Sequence, residues 1–373
     1  MRSNNAFQNL LMAKVAKFNW HLLFFVFITC IYGLIALYSA GGGSFHPWAY
    51  KQLINILLCL PIILFISFIN IRILYHYSWV VYLLVLICLI YVEISGYRAM
   101  GAQRWVNIGP LRFQPSEPAK IAIILMLARY FHNLSHINIS KISHLILPIS
   151  MVLLPAALVI KQPDLGTGII ILIVAASIFF AAGVSIWKFV FIGSVGIISM
   201  PILWQFLKEY QKKRILVFLN PEYDPQGAGY NIIQSKIAIG SGKIFGKGIG
   251  AGTQSHLSFL PEYQTDFIFA AMCEEFGFVG GIMLLILYAA IIYVSIAIAI
   301  NARNIFGKLL VIGVISIFFS HIFVNISMVM GMMPAVGVPL PLISYGGTMI
   351  GSMLGGFGII MNVHINRDVE LKR

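Results

Sequence analysis

The sequence predicts an all-α polytopic integral membrane protein, and three observations predict it. Hydrophobic residues make up 60% of the chain and charged residues only 10%, where a soluble domain carries about a quarter charged. Mean hydropathy is +0.91. The charges collect at the ends of apolar runs, each close to the roughly 20 residues that carry a helix across a bilayer. Backbone groups in lipid must be paired within their own segment, so helices are the economical solution. The alternating strand pattern of a membrane barrel is absent.

Taken in order, the apolar runs number about ten. They lie near Trp20–Ser39, Ala49–Ile69, Tyr75–Ser95, Ser116–Phe131, His144–Ile160, Thr167–Ala182, Trp187–Leu207, Asp266–Ile300, Lys308–Met330 and Tyr345–Val363. The eighth is long enough to hide a break at Gly280-Gly281. Residues 1–373 read as a single transmembrane domain, with an arm at 1–19, a long loop at 208–265 between the seventh and eighth spans, and a tail at 365–373. No cleavable signal pattern precedes Trp20, so the first run stays as a span.

An even number of crossings puts both termini on one side. The arm carries Arg2, Lys14 and Lys17, the tail carries Arg367, Lys372 and Arg373, and short loops on that side add Arg72, Lys141, Lys188, Arg303 and Lys308. Short basic loops face the cytoplasm, so both termini are placed there. The opposite side is also basic, and much of that charge sits in the long loop, which weighs little in the rule. Its excess of cations asks for an anionic substrate. A net charge of +13 on a membrane chain without a basic soluble module points to anionic lipid rather than nucleic acid. The cysteines Cys30, Cys59, Cys88 and Cys273 each lie in an apolar run and suggest buried thiols, not a disulfide framework.

Four constellations carry chemistry. In Phe259-Leu-Pro-Glu262-Tyr-Gln-Thr265-Asp266, Asp266 stands where a polar loop enters an apolar helix. Thr265 or Asp266 suits an N-cap; a carboxylate at a membrane boundary equally suits a poised base. Glu262 is a second candidate, in a turn after Pro261. In Gln103-Arg104-Trp105 through Phe113-Gln-Pro-Ser116-Glu117-Pro-Ala-Lys120, Ser116 looks like an N-cap. Glu117 and Lys120 share a helix face, either as an ion pair tying down the helix start or as a cation aimed at phosphate with the acid orienting it. Trp105 suits an interface anchor or a sugar platform.

In Lys161-Gln162-Pro-Asp164-Leu-Gly-Thr167, Lys161 and Asp164 either neutralise each other or line a polar cavity. In Pro334-Ala-Val-Gly337-Val-Pro339-Leu-Pro341-Leu-Ile-Ser344-Tyr345-Gly-Gly347, prolines and glycines make a rigid re-entrant turn that lipid tolerates only where protein buries it; Ser344 is a candidate lining residue. The stretch Gly240-Ser-Gly-Lys243-Ile-Phe-Gly246-Lys247-Gly-Ile-Gly250 has the wrong spacing for a nucleotide loop, and no Ser or Thr follows either lysine. His132 and His136 lack a nearby carboxylate, which favours an interfacial role over a metal site. Glu274 and Glu275 are placed inside the eighth span, where one pairs with an internal cation, and His321 and Asn325 suit interhelical hydrogen bonds.

These motifs, in this order, resemble the SEDS family (shape, elongation, division and sporulation), with a match from about Trp20 to His364. Gln234-Ser-Lys-Ile-Ala-Ile-Gly-Ser-Gly and Gly252-Thr-Gln-Ser-His-Leu-Ser-Phe-Leu-Pro-Glu262 are more similar to its elongation members than to its division members. Pro118 departs from the aliphatic residue common there. The resemblance implies a ten-helix peptidoglycan glycosyltransferase in the inner (plasma) membrane of a bacterial cell, polymerising lipid II on the outer face. It implies a class B penicillin-binding protein as partner, alongside other elongation-complex membrane proteins. It implies that Asp266 is the essential acid and that Trp105, Glu117 and Lys120 are sensitive positions.

The expected chemistry is a single inverting displacement, with Asp266 as base and Lys120, Arg104 and Lys161 near a departing diphosphate. A magnesium or manganese ion suits such a leaving group, but no ligand cluster in the sequence demands one. Two other classes meet the same sequence features: a lipid II flippase, and a non-catalytic scaffold for the penicillin-binding protein.

Overall fold

The computed structural model describes residues 14–99, 102–109, 111–134, 139, 141–224, 227–256 and 259–371. Arg2, His136, Lys372 and Arg373, which enter the sequence argument, lie outside them.

Among the described residues, ten helices of 18 residues or more follow the expected spans. They are α1 (Trp20–Ala40), α2 (Trp48–Phe68), α3 (Ile71–Ser95), α4 (Ser116–Asn133), α5 (Ile142–Lys161), α6 (Leu165–Ala182), α7 (Ile186–Phe206), α11 (Ile268–Asn301), α12 (Ile305–Val329) and α13 (Gly347–Ile365). Eight of them are long and apolar enough to cross a membrane. The two others are α4, which carries Glu117, Lys120 and Arg129, and α7.

Two features were not expected. Three short strands before α4 form a small antiparallel sheet in the order β1 (Tyr97–Ala99), β2 (Ala102–Ile108), β3 (Leu111–Phe113). The long loop is largely helical, with α8 (Glu209–Leu219), α9 (Ala228–Ser241) and the single turn α10 (Thr253–His256).

Side-chain contacts define the two ends of the bundle. At one end Gln52 Nε2 donates to the Ser344 carbonyl, 2.9 Å, and Arg104 donates to the Gln162 carbonyl, 3.2 Å. At the other, Asn362 donates to the Ile66 and Ile69 carbonyls, and Lys17 reaches Asp368 at 3.3 Å. Of the eight apolar spans, α12 and α13 are the most deeply buried. Glycine lets them approach their neighbours: a Cβ at Gly358 would lie 3.0 Å from the Ile63 carbonyl, and one at Gly313 only 2.6 Å from Ile124. Lipid supplies no hydrophobic force between helices, so such close backbone packing carries the association. By contrast, none of the described side chains of α7 is buried.

The helix starts correct two expectations. Helix α4 begins after Pro115, with no side-chain cap, so Ser116 is not the N-cap. Helix α11 begins at Ile268 after Phe267, again without a side-chain cap, so neither Thr265 nor Asp266 caps it.

The break in the eighth span is real but lies at Gly277 (φ 69, ψ −165), not at Gly280-Gly281. The segment 242–248 fills it. Lys247 and Gly248 donate to the Glu274 and Glu275 carbonyls, both at 3.0 Å, and Phe278 and Val279 donate to the Lys243 and Ile244 carbonyls at 2.9 and 3.1 Å. Backbone groups released by the break are therefore paired with protein, the condition for irregular backbone at membrane depth. Glu274 accepts from Lys247 and from the Thr253 and Gln254 amides, tying the same segment down.

Candidate active site

The proline-rich elbow between α12 and α13 is buried by protein, with Val338, Leu340, Leu342 and Ile343 each 1% exposed or less. Tyr288 donates its hydroxyl to the Pro341 carbonyl, 2.7 Å, and Asn325 donates to the Val338 carbonyl, 2.7 Å.

The elbow in turn holds the strip that precedes α11. The Tyr345 amide donates to the Gln264 carbonyl at 2.9 Å, Ser344 Oγ to the Thr265 carbonyl at 2.6 Å, and Asn325 Nδ2 to the Asp266 carbonyl at 2.8 Å. Three successive carbonyls are thus fixed while the Asp266 carboxylate is left out of the clamp. It is half-buried and makes no hydrogen bond or ion pair among the described residues. Gly337, at φ +71, faces it: a Cβ there would stand 3.3 Å from Asp266 Oδ2.

The two guanidinium groups around Asp266 come from distant parts of the chain, and one carboxylate comes from Glu262 just before it. Burial pushes its carboxyl up to about 6, the nearby Glu262 carboxylate pushes the same way, and the guanidinium groups of Arg104 and Arg214 oppose both. Desolvation and a like charge each disfavour the ionised form. Glu262 lies in the expected turn after Pro261, half-buried at φ +56, and accepts from Thr265 Oγ1 at 3.0 Å.

Arg104, on β2, donates to the Gln162 and Pro163 carbonyls and lies 4.0 Å from Asp164. Asp164 accepts from Gln114 at 3.2 Å and caps α6 through the Thr167 amide at 3.3 Å. Arg214, on α8, is the functional candidate that sequence reasoning missed. It is half-buried over the Tyr210 ring, 6.0 Å to the centroid, and among the described residues its guanidinium makes no hydrogen bond or ion pair. Burial and the like charge of Arg104 hold its proton affinity below that of an ordinary guanidinium. The sequence showed only one more cation in a basic loop.

The remaining expected site residues fall elsewhere. Lys161 pairs with Glu93 at 3.0 Å on an exposed surface, not with Asp164. Gln162 is buried and donates to the Leu89 carbonyl, 2.9 Å. Ser344 is buried and spent on the clamp, accepting also from the Leu340 amide at 2.7 Å. Trp105 is half-buried on β2 opposite Tyr97. Glu117 and Lys120 form a buried ion pair at 2.9 Å inside the bundle.

These features define a polytopic helical membrane protein with a cluster of carboxylates and two guanidinium groups gathered at one end of its bundle. The chain belongs to the FtsW, RodA and SpoVE family of cell cycle proteins, which it matches over residues 19–369. It is 41% identical to the peptidoglycan glycosyltransferase MrdB of Escherichia coli K12 over 353 residues, 94% of each chain. It is 39% identical to the MrdB of Helicobacter pylori, covering 80% of this chain and 78% of that one.

Among solved structures, it resembles a chain of a peptidoglycan synthase complex described as coordinating polymerization and crosslinking. That likeness has a TM-score of 0.81 at 29% identity, over 94% of this chain and 98% of the other. The rod shape determining protein RodA of Thermus thermophilus gives a TM-score of 0.71 at 26% identity, over 95% and 98%.

Proposed function

We propose that the chain is a peptidoglycan glycosyltransferase of cell elongation that polymerises lipid II on the outer face of the plasma membrane, with Asp266 as the general base. The observation that carries this reading is the Asp266 carboxylate: anchored through its backbone, unspent on capping or pairing, and flanked by Arg104 and Arg214. Names of the relatives support the reaction class.

In the step proposed, the acceptor sugar 4-hydroxyl gives its proton to Asp266 as its oxygen bonds to the donor anomeric carbon. The bond from that carbon to the lipid diphosphate breaks, and its electron pair leaves with the diphosphate. A single displacement turns an α-linked donor into a β-link. Negative charge grows on the leaving group, and Arg104 and Arg214 are the cations placed to meet it. Lys161, paired and exposed, and Lys120, enclosed in the bundle, are less suited.

A magnesium or manganese ion would find two carboxylates here, Glu262 and Asp266. Among the described residues no group of three or more His, Cys, Asp or Glu side chains forms a closed ligand set. That donor set suits a cation taking most of its ligands from water and substrate phosphate. The likeness to a chain from a complex that couples polymerization to crosslinking supports a class B penicillin-binding protein as partner within a larger elongation assembly.

The test is lipid II polymerisation by the purified protein in detergent, alone and with the partner. Asp266→Asn should lose polymer by about 10²-fold or more, as removing a positioned base does, while remaining monodisperse. Wild-type-rate polymer from Asp266→Asn removes the base assignment. No polymer from the wild-type pair, with partner binding intact, would return the scaffold reading; detergent, with no second compartment, excludes flipping as the source of any signal.

A further inference from the structure

Lys120 is wholly enclosed in the bundle, its side chain 0% exposed. Its ammonium lies 2.9 Å from Glu117 Oε1 and 2.7 Å from His321 Nε2. His321 Nδ1 in turn lies 3.2 Å from the Pro339 carbonyl. A carbonyl oxygen only accepts, so Nδ1 carries the ring proton and Nε2 offers its lone pair to the ammonium. The donors therefore run in one direction, from Lys120 to His321 to the elbow.

One turn along α12 from His321, Asn325 donates to the Val338 carbonyl and to the Asp266 carbonyl. The two side chains on that helix face thus grip adjacent elbow residues, and the second also grips Asp266. Ser344 completes the clamp through Thr265.

We propose that Lys120 is a positioning residue: it orients His321, which pins the elbow at Pro339 and so holds Asp266 in place, without contact to the substrate. This rests on the reading of Asp266 as the base. Fixing the tautomer of His321 is what the lysine contributes. Without the ammonium, the imidazole is free to exchange its protonated nitrogen or rotate, and the Pro339 carbonyl loses its donor. A base displaced by about 1 Å costs on the order of 10²-fold in rate. A lysine bound to diphosphate would instead be felt in substrate affinity.

The experiment measures kcat and KM for lipid II polymerisation by the purified full chain with its partner. The variants are Lys120→Met, His321→Leu, His321→Gln and the double variant Lys120→Met/His321→Leu. Lys120→Met and His321→Leu should each lower kcat by about tenfold or more with KM within about twofold, the signature of lost positioning. The double variant should be no worse than the worse single one, because both break the same chain. His321→Gln keeps one donor and one acceptor and should recover most of the rate.

Breaking a buried ion pair risks the fold, so Glu117→Gln/Lys120→Met, which removes both charges, is measured beside the single variant and should show the same loss of kcat. A tenfold rise in KM at unchanged kcat in the Lys120 variants, additive losses in the double variant, or His321→Gln as poor as His321→Leu would each overturn the proposal. Asp266→Asn in the same assay separates the failures. If it is inactive while Lys120→Met changes only KM, the base reading stands and the positioning role falls. If it polymerises normally, both fall.

Discussion

An aspartate whose proton leaves near pH 6 is a usable base only above that pH. Burial and Glu262 raise the Asp266 carboxyl to about 6, so the protonated, inactive form dominates in more acidic solution. The expected outcome is a kcat/KM that falls with a single-proton slope as pH drops through about 6 in the free enzyme, measured by initial rates across pH. Glu262→Gln removes the like charge and should move this acid limb to lower pH; Arg214→Ala removes an opposing cation and should move it higher. Arg214→Ala should also lower kcat/KM by about 10–100-fold, the worth of a charge-assisted hydrogen bond of about 1.5–3 kcal/mol. Arg214→Lys should recover part of that, because it restores charge but not the guanidinium fork. None of this was legible for Arg214, whose neighbours Arg104 and Asp266 are 110 and 52 positions away by subtraction of the residue numbers. Asp266 was legible as an acid at the entry to an apolar run, where a cap role was the rival to a base, and the resemblance to the family singled it out. That rival fell because α11 starts two residues later, a boundary too fine for apolar pattern to locate.

Among the elements, the broken helix α11 and segment 242–248 depend on each other. Gly277, at φ 69, leaves carbonyls and amides without helical partners, and the segment supplies them. The contact is backbone to backbone: a Cβ at Gly277 would fall 2.3 Å from the Gly246 nitrogen, and one at Gly246 2.1 Å from the Glu275 carbonyl. Both glycines have positive φ, so Gly277→Ala and Gly246→Ala meet steric overlap and backbone strain together. Each should destabilise the protein by about 1–3 kcal/mol, read as a lowered melting temperature in detergent. Gly240→Ala is the control. It sits within α9 with open space around its Cβ position, and should be neutral or stabilising by up to about 1 kcal/mol. The sequence displayed these glycines, and their spacing sufficed to reject a nucleotide loop. It did not show what they pack against, so the break was placed three residues late, at the more conspicuous Gly280-Gly281. Which glycine turns is decided by the segment that fills the gap, a tertiary fact. The ion pair was misplaced for a similar reason: Lys161 and Asp164 are neighbours in sequence, but the helix turn sends Lys161 to Glu93 and leaves Asp164 to Arg104 and Gln114.

At the scale of the whole molecule, the number and order of long helices were readable because a bilayer imposes one length on every crossing. The small sheet and the helices of the long loop were not, since water imposes no such length. Orientation follows from the same frame. Lys17 and Asp368 meet at one end of the bundle, whereas Asp266, Arg104 and Arg214 lie at the other. On the proposed orientation, with the short basic loops of the first end facing the cytoplasm, the carboxylate stands on the side where glycan would be deposited. A cysteine-scanning experiment checks this. Once Cys30, Cys59, Cys88 and Cys273 are replaced, Tyr223→Cys, at an exposed residue of the long loop, should react with a membrane-impermeant maleimide on intact spheroplasts. Arg367→Cys should react only after permeabilisation. The reverse pattern would put Asp266 and both guanidinium groups in the cytoplasm. The same site would then meet lipid II before its export rather than after, and an enzyme building wall on the outer face would have its base on the wrong side of the membrane.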